Sequence, residues 1–130
     1  MRPVAEKYPI GLAYGAPGNY AAGHHTGTDF ACPVGTPVLA PRRGRVVCPP
    51  QDDAYGLYVC IYGLGGRRSW LLAHLSRRDL SLDGKVVKAG TVIGWSGNTG
   101  NTTGPHLHAE QRTAPFGYRQ CVKPTAWTPA

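Results

Sequence analysis

The chain has 130 residues, among them 18 Gly and 12 Pro, and carries a formal charge of +7 with only 16% charged residues. That length supports one domain with a core of its own, and the Gly and Pro load favours short strands joined by turns over long helices. No apolar run is long enough to cross a bilayer as a helix, no hydrophobic segment follows Met1-Arg2-Pro3-Val4 to make a secretory signal, and four cysteines without a Cys-x-x-Cys spacing argue against a cysteine-ligated structural zinc.

The basic excess suits an anionic partner, either nucleic acid or an acidic polymer such as bacterial cell wall. The pairs Arg42-Arg43, Arg67-Arg68 and Arg77-Arg78 are scattered, however, and a solvated surface accounts for them equally well. Nucleic-acid binding would call for clustered cations interleaved with aromatics, and no such stretch occurs.

Residues 1–22 read as an irregular arm lying over a sheet, because the repeated Gly and Pro around Tyr14-Gly15-Ala16-Pro17-Gly18 forbid a helix. Next comes Gly23-His24-His25-Thr26-Gly27-Thr28-Asp29-Phe30. Gly27 and two β-branched threonines favour an extended or looped segment, in which His25 and Asp29 share a face and His24 points away. Gly35 to Pro41 and Gly44 to Cys48 read as short strands around a Pro-Arg-Arg-Gly turn, and Leu57 to Tyr62 as a third strand. Cys48 and Cys60 flank a hairpin and are placed to pair; buried free thiols are the preferred reading for all four cysteines.

Ser69 to Leu75 is the next strand, with His74 near its end. Ser76 to Leu82 is expected as a short helical turn capped by Ser76 with Asp79 in its first turn. Lys85 to Gly90 and Thr91 to Trp95 follow as strands joined near Gly90. The loop Ser96 to Pro105, rich in Gly, Asn and Thr, lacks the ending of a phosphate-binding loop and is better read as the wall of a substrate groove. It feeds His106-Leu107-His108-Ala109-Glu110. In a strand, His106, His108 and Glu110 share one face, and two imidazoles side by side form a preformed metal claw. After Glu110 the chain is expected to be irregular, with Val122 and Trp127 packing the tail back on the sheet.

His25, Asp29, His74, His106 and His108 thus all lie at strand ends or strand–loop junctions. A catalytic zinc site takes three protein ligands and keeps a position for water, which two imidazoles and a carboxylate satisfy, leaving two imidazoles for proton transfer and oxyanion stabilisation.

At this point a family resemblance appears. His25-x-Gly27-x-Asp29 and His106-Leu107-His108, with Gly35-Thr36-Pro37-Val38, Ala73-His74-Leu75-Ser76, Val87 to Gly94 and Ser96-Gly97-Asn98-Thr99-Gly100 between them, resemble the LytM/lysostaphin-type (M23) zinc endopeptidases in order and spacing over about residues 20–112. The resemblance implies a mainly β fold, a single antiparallel-sheet domain with long loops walling a groove. Residues 1–22 would be its N-terminal arm, 23–112 the catalytic core and 113–130 the tail. It implies His25, Asp29 and His108 as ligands of Zn2+, and His74 and His106 as the catalytic pair, with their roles not distinguished. Glu110 would orient an imidazole from behind. The implied substrate is the peptide cross-link of bacterial peptidoglycan, outside the cytoplasm. Without a signal peptide, a bacteriophage lysin or virion-associated enzyme is the expected setting; a domain trimmed from a larger secreted protein would look the same, although Met1 argues against it. Two positions depart from the family: Leu72 stands where Tyr is frequent, and Ala109 where Phe is frequent. Both bear on substrate preference. The competing reading is an inactive wall-binding or structural module on the same fold, which loss of ligands would have favoured.

Overall fold

The computed structural model describes residues 1–125 and Trp127. Ten strands run in chain order: β1 (Ile10–Leu12), β2 (Thr28–Phe30), β3 (Pro37–Leu39), β4 (Gly44–Val47), β5 (Leu57–Gly63), β6 (Arg68–Arg78), β7 (Val86–Val87), β8 (Val92–Ser96), β9 (Leu107–Thr113) and β10 (Cys121–Val122). All pairings are antiparallel, in the order β1-β2-β9-β6-β5-β4-β7. β10 lies along β9, and β8 joins β3 to the far end of β6. The fold is mainly β, as the sequence implies; the helical residues are two single 3-10 turns, Leu80–Leu82 and Tyr118–Gln120, among the described residues.

Strand alternation sorts the side chains onto two faces. Phe30, Val46, Val59, Ile61, Trp70, Leu72, Leu107 and Ala109 point to one face and form the core with Val38 and Ile93 from the β3–β8 pair. These are the β-branched, aromatic and aliphatic residues that pleated surfaces favour, and each large one that is fully buried contributes about 2 kcal/mol by leaving water. The arm closes the edge of this core: Val4 is buried in it, and the Pro3 carbonyl accepts a hydrogen bond from the Leu39 amide. Trp127 packs edge-on against Phe30.

The opposite face carries the site. Register sets Asp29 opposite His108 and His108 opposite Ala73, while Glu110 is opposite Leu71 and Arg112 opposite Cys121. Three strands therefore hold Asp29, His108 and Ala73 in one row across the sheet.

Several local expectations change. β3 and β4 do not pair with each other: β3 joins β8 and β4 lies between β5 and β7, so the Pro-Arg-Arg-Gly turn connects two parts of the sheet. Nor do β7 and β8 form a hairpin. β6 runs on to Arg78, past Ser76, and the helical turn starts later, with Asp79 as its cap accepting from the Ser81 amide. β9 continues to Thr113 and is extended by pairing with β10, so regular structure does not stop at Glu110. The four cysteines are all free thiols; Cys32 and Cys60 are buried, Cys48 and Cys121 half-buried.

Candidate active site

His25 follows an arm segment that clamps it from both sides. Its amide donates to the Ala16 carbonyl and its own carbonyl accepts from the Gly15 amide. The ring donates from Nδ1 to the Ala13 carbonyl at 3.1 Å, so Nε2 presents a lone pair to Asp29 Oδ1, 3.1 Å away. His108 approaches the same carboxylate oxygen with Nδ1 at 2.8 Å and donates from Nε2 to Glu110 Oε1 at 2.9 Å. The ligand atoms of His25, Asp29 and His108 all lie within 4.8 Å of one another. Gly27 makes this approach possible. A Cβ there would stand 2.9 Å from the His108 ring and collide with the Ala109 carbonyl.

His74 reaches the site through a bulge. Leu57 faces Leu75 and Val59 faces Leu72, so β6 spends one residue more than β5 across this interval. His74 takes that extra place with φ of 62°, a left-handed conformation that costs a non-glycine residue about 1 kcal/mol and re-aims its side chain. Its amide donates to the Tyr55 carbonyl, and its Nδ1 donates to the Thr99 carbonyl at 2.7 Å. His106 precedes β9 and donates from Nδ1 to the Gly104 carbonyl at 2.7 Å; its Nε2 lies 3.8 Å from Asp29 Oδ1. The rings of His74 and His106 are 4.9 Å apart. All four histidines thus have one nitrogen committed to a fixed acceptor. For His25, His106 and His108 the other nitrogen faces Asp29.

Behind the row, Glu110 is fully buried. Its Oε1 accepts from Thr26, Tyr55 and His108, and its Oε2 from Arg112 and Cys121. Arg112 Nη2 stands 2.7 Å from Oε2. Burial alone would raise the Glu110 carboxyl, but these bonds and the Arg112 charge outweigh it and hold it at about 2. Burial likewise opposes ionisation of Asp29, yet hydrogen bonds with His108 and His25 keep it well below the usual carboxylate range. His108 is disfavoured as a cation by burial, but the two carboxylates outweigh that and raise it to about 9. His74 moves the other way. Burial is the main cause, with the Thr99 carbonyl opposing and neighbouring imidazoles adding, and the net direction is down. Burial and the Glu110 charge raise the Tyr55 phenol.

The site floors an open cleft of about 400 Å³. Leu12 and Tyr20 of the arm form one wall and Asn101–Thr103 of the long loop another, the two walls expected from sequence. Two further contributors were not foreseen. Tyr55, from the 51–56 loop, lies parallel to the His108 ring, and Tyr118, from the second 3-10 turn, closes one end. Neither sits in a periodic pattern, so nothing local marks them. His24 points out of the row, with Nδ1 at its neighbour's carbonyl and its ring edge-on to Tyr14.

Comparison with known proteins follows this geometry. The sequence matches the profile of Peptidase family M23 over residues 23–124. It is 38% identical over 120 residues to the glycyl-glycine endopeptidase ALE-1 of Staphylococcus capitis, an alignment covering 90% of this chain and 33% of that protein. The chain spans a third or less of the length of such curated relatives. Its fold superposes on the catalytic domain of the antimicrobial peptidase lysostaphin from Staphylococcus simulans with a TM-score of 0.83 at 34% identity, covering 90% of this chain and 89% of that one. A zinc-containing peptidase from Vibrio cholerae superposes with a TM-score of 0.81 at 29% identity, covering 99% and 39%. Over most of its length, then, in sequence and in backbone alike, the chain belongs to peptidase family M23.

Proposed function

We propose that this chain is a zinc-dependent endopeptidase that hydrolyses peptide cross-links of bacterial peptidoglycan, acting outside the cytoplasm. The observation that carries the reading is the convergence of His25 Nε2, Asp29 Oδ1 and His108 Nδ1 within 4.8 Å, on the floor of an open cleft lined by two more imidazoles. The donor set fits zinc. The hydrogen bond to Ala13 leaves the His25 lone pair 3.1 Å from a carboxylate oxygen, an arrangement that needs a shared proton or cation between them. The relatives' names support the substrate class: ALE-1 is a glycyl-glycine endopeptidase and a structural neighbour a zinc-containing peptidase.

In this reading His25, Asp29 and His108 hold the metal, and Glu110 fixes the His108 tautomer by accepting its Nε2 proton. Bound zinc would polarise the scissile carbonyl and acidify an attacking water. His74 has its Nδ1 proton committed to Thr99 and is kept neutral at pH 7 by burial, so its Nε2 is available to accept the proton from water. His74 then passes that proton from Nε2 to the leaving amine, and His106, anchored through Nδ1 at Gly104, faces the developing oxyanion with Nε2 and stabilises it in its protonated form. Tyr20, Tyr118 and the 101–103 loop hold the peptide along the cleft.

The test combines metal analysis with digestion of purified peptidoglycan. The wild type is expected to bind one zinc and release soluble muropeptides. His108→Ala should lose both metal and activity. His106→Ala should keep its zinc and lose activity by at least about 100-fold. Digestion by both variants would overturn the assignment. A zinc-loaded wild type that leaves the wall intact would instead favour a binding module.

A further inference from the structure

Beside the main cleft is a second pocket of about 380 Å³, lined by Ala21, Ala22, His24, Thr26, Tyr118, Arg119 and Cys121. Thr26 and Tyr118 line both cavities, so a chain lying in the cleft passes directly from one to the other. The walls come from the segment either side of His25, through Ala21, Ala22, His24 and Thr26, and from the second 3-10 turn with β10.

The chemistry of the pocket is one-sided. Among the described residues its lining holds no carboxylate. Arg119 is exposed at its rim and, among the described residues, makes no ion pair or hydrogen bond, whereas Arg2 and Arg112 are each paired with a glutamate. His24 adds an imidazole whose Nδ1 is occupied at a backbone carbonyl. Glu110 lies behind Cys121, but its oxygens are taken up by Arg112, Cys121 and the groups on Oε1, so its charge is balanced from within. A planar guanidinium with five donors, facing an open polar pocket without an acid, suits a carboxylate, which it can bind in a two-bonded fork.

We infer that this side pocket is a carboxylate-reading subsite, in which Arg119 pairs with a free carboxylate carried by the peptide that occupies the cleft. The inference rests on the peptidase reading and narrows it, because it selects cross-links that bear an unmodified acid near the scissile bond over those in which that acid is amidated. Arg119 is here a specificity-determining residue and has no part in bond breaking. Its contribution should appear in KM and not in kcat, since the interaction is the same in the bound substrate and in the transition state.

The test uses the zinc-loaded full chain and two cross-linked peptide dimers of identical sequence, one with the side carboxyl nearest the cross-link free and one with it amidated. Wild type should favour the acid form by about tenfold in kcat/KM. Arg119→Gln should raise KM on the acid form by about tenfold, leave kcat unchanged and leave the amidated dimer untouched; Arg119→Lys should restore most of the preference. The same dimers are then titrated onto His106→Ala, with and without Arg119→Gln, so that binding is read without turnover. Acid-selective binding that depends on Arg119 supports the subsite even if wild type cleaves neither dimer, an outcome that would sink the peptidase reading alone. Equal binding of the two dimers, or an equal loss on both in Arg119→Gln, overturns the subsite while leaving the peptidase reading intact.

Discussion

His108 is the residue on which two demands meet. Without metal, Asp29 and Glu110 flank it, and burial between them still leaves its pKa raised to about 9. At pH 7 the ring is therefore a cation, both nitrogens donating. A metal ligand must be uncharged at the donor nitrogen. Zinc binding at pH 7 is thus expected to expel the Nδ1 proton, while the Nε2 proton stays on Glu110. Titrating zinc into metal-free protein in two buffers of different ionisation enthalpy should show close to one proton released per ion. At pH 10 that release should vanish and the apparent affinity should rise. Release of no proton at pH 7 would mean that the two carboxylates do not hold His108 as a cation.

At the scale of elements, the position of His74 depends on loops as much as on its own strand. The bulge turns it toward the cleft, but the Thr99 carbonyl fixes its tautomer. Thr99 is in turn held by its hydroxyl, which donates to the Leu75 carbonyl and accepts from the Leu57 amide. The 51–56 and 97–105 loops cross here with almost no room. Gly100 has φ of 81°, and a Cβ on it would lie 2.7 Å from the Ala54 carbonyl oxygen. Gly100→Ala is expected to push the loops apart, cost about 1–3 kcal/mol of stability and release the Thr99 carbonyl from His74. The residues proposed to hold zinc belong to other elements, so metal stoichiometry should stay at wild-type level while kcat falls by about ten- to a hundredfold. A variant with normal kcat would show that Thr99 does not matter to His74.

The same elements show where sequence reading succeeds and where it stops. Alternation made it legible that His106, His108 and Glu110 share a strand face, but the meeting of Asp29 with His108 came only from the family resemblance; their register pairing follows from the β2–β9 ladder. The five converging residues sit in motifs with fixed spacing. His74 was assigned to a strand end because Ser76 and Asp79 resemble helix-start residues; the strand in fact continues, since the β8 ladder outcompetes that local signal. The β3 and β7 pairings were missed because strands of two or three residues carry too little pattern to name a partner. Tyr55 and Tyr118 reach the cleft, and Arg119 the pocket beside it, from segments whose placement depends on the whole sheet being built first.

For the molecule as a whole, the two faces of the sheet respond differently to pH. The core face is apolar and indifferent to pH, whereas the site face stores buried ionised groups whose worth changes with protonation. Glu110 at about 2 and Asp29, also depressed, bind fewer protons folded than unfolded. Their stabilisation is present above the unfolded carboxylate range and is lost as pH falls from about 4.5 through 2. His108 has the opposite sign. Raised to about 9, it stabilises fully below its unfolded value of 6.5, and that contribution disappears as pH climbs through 9. His74, lowered by burial, adds a loss as pH falls below 6.5, so the metal-free protein should be most stable near pH 6.5 and weaken on both sides. Zinc takes the place of the proton on Nδ1, so the loaded protein should keep its stability through pH 9 and lose it only on the acid side, where protons displace the metal. Denaturant unfolding of both forms from pH 3 to 10 checks this. Glu110→Gln removes one of the two charges facing His108 and leaves Arg112 buried without its counterion. It should cost about 3–5 kcal/mol at pH 7 and flatten the slope between pH 6.5 and 9 in the metal-free form. A metal-free profile level across that interval in the wild type, or a steep one in Glu110→Gln, would show that the carboxylates do not hold His108 as a cation.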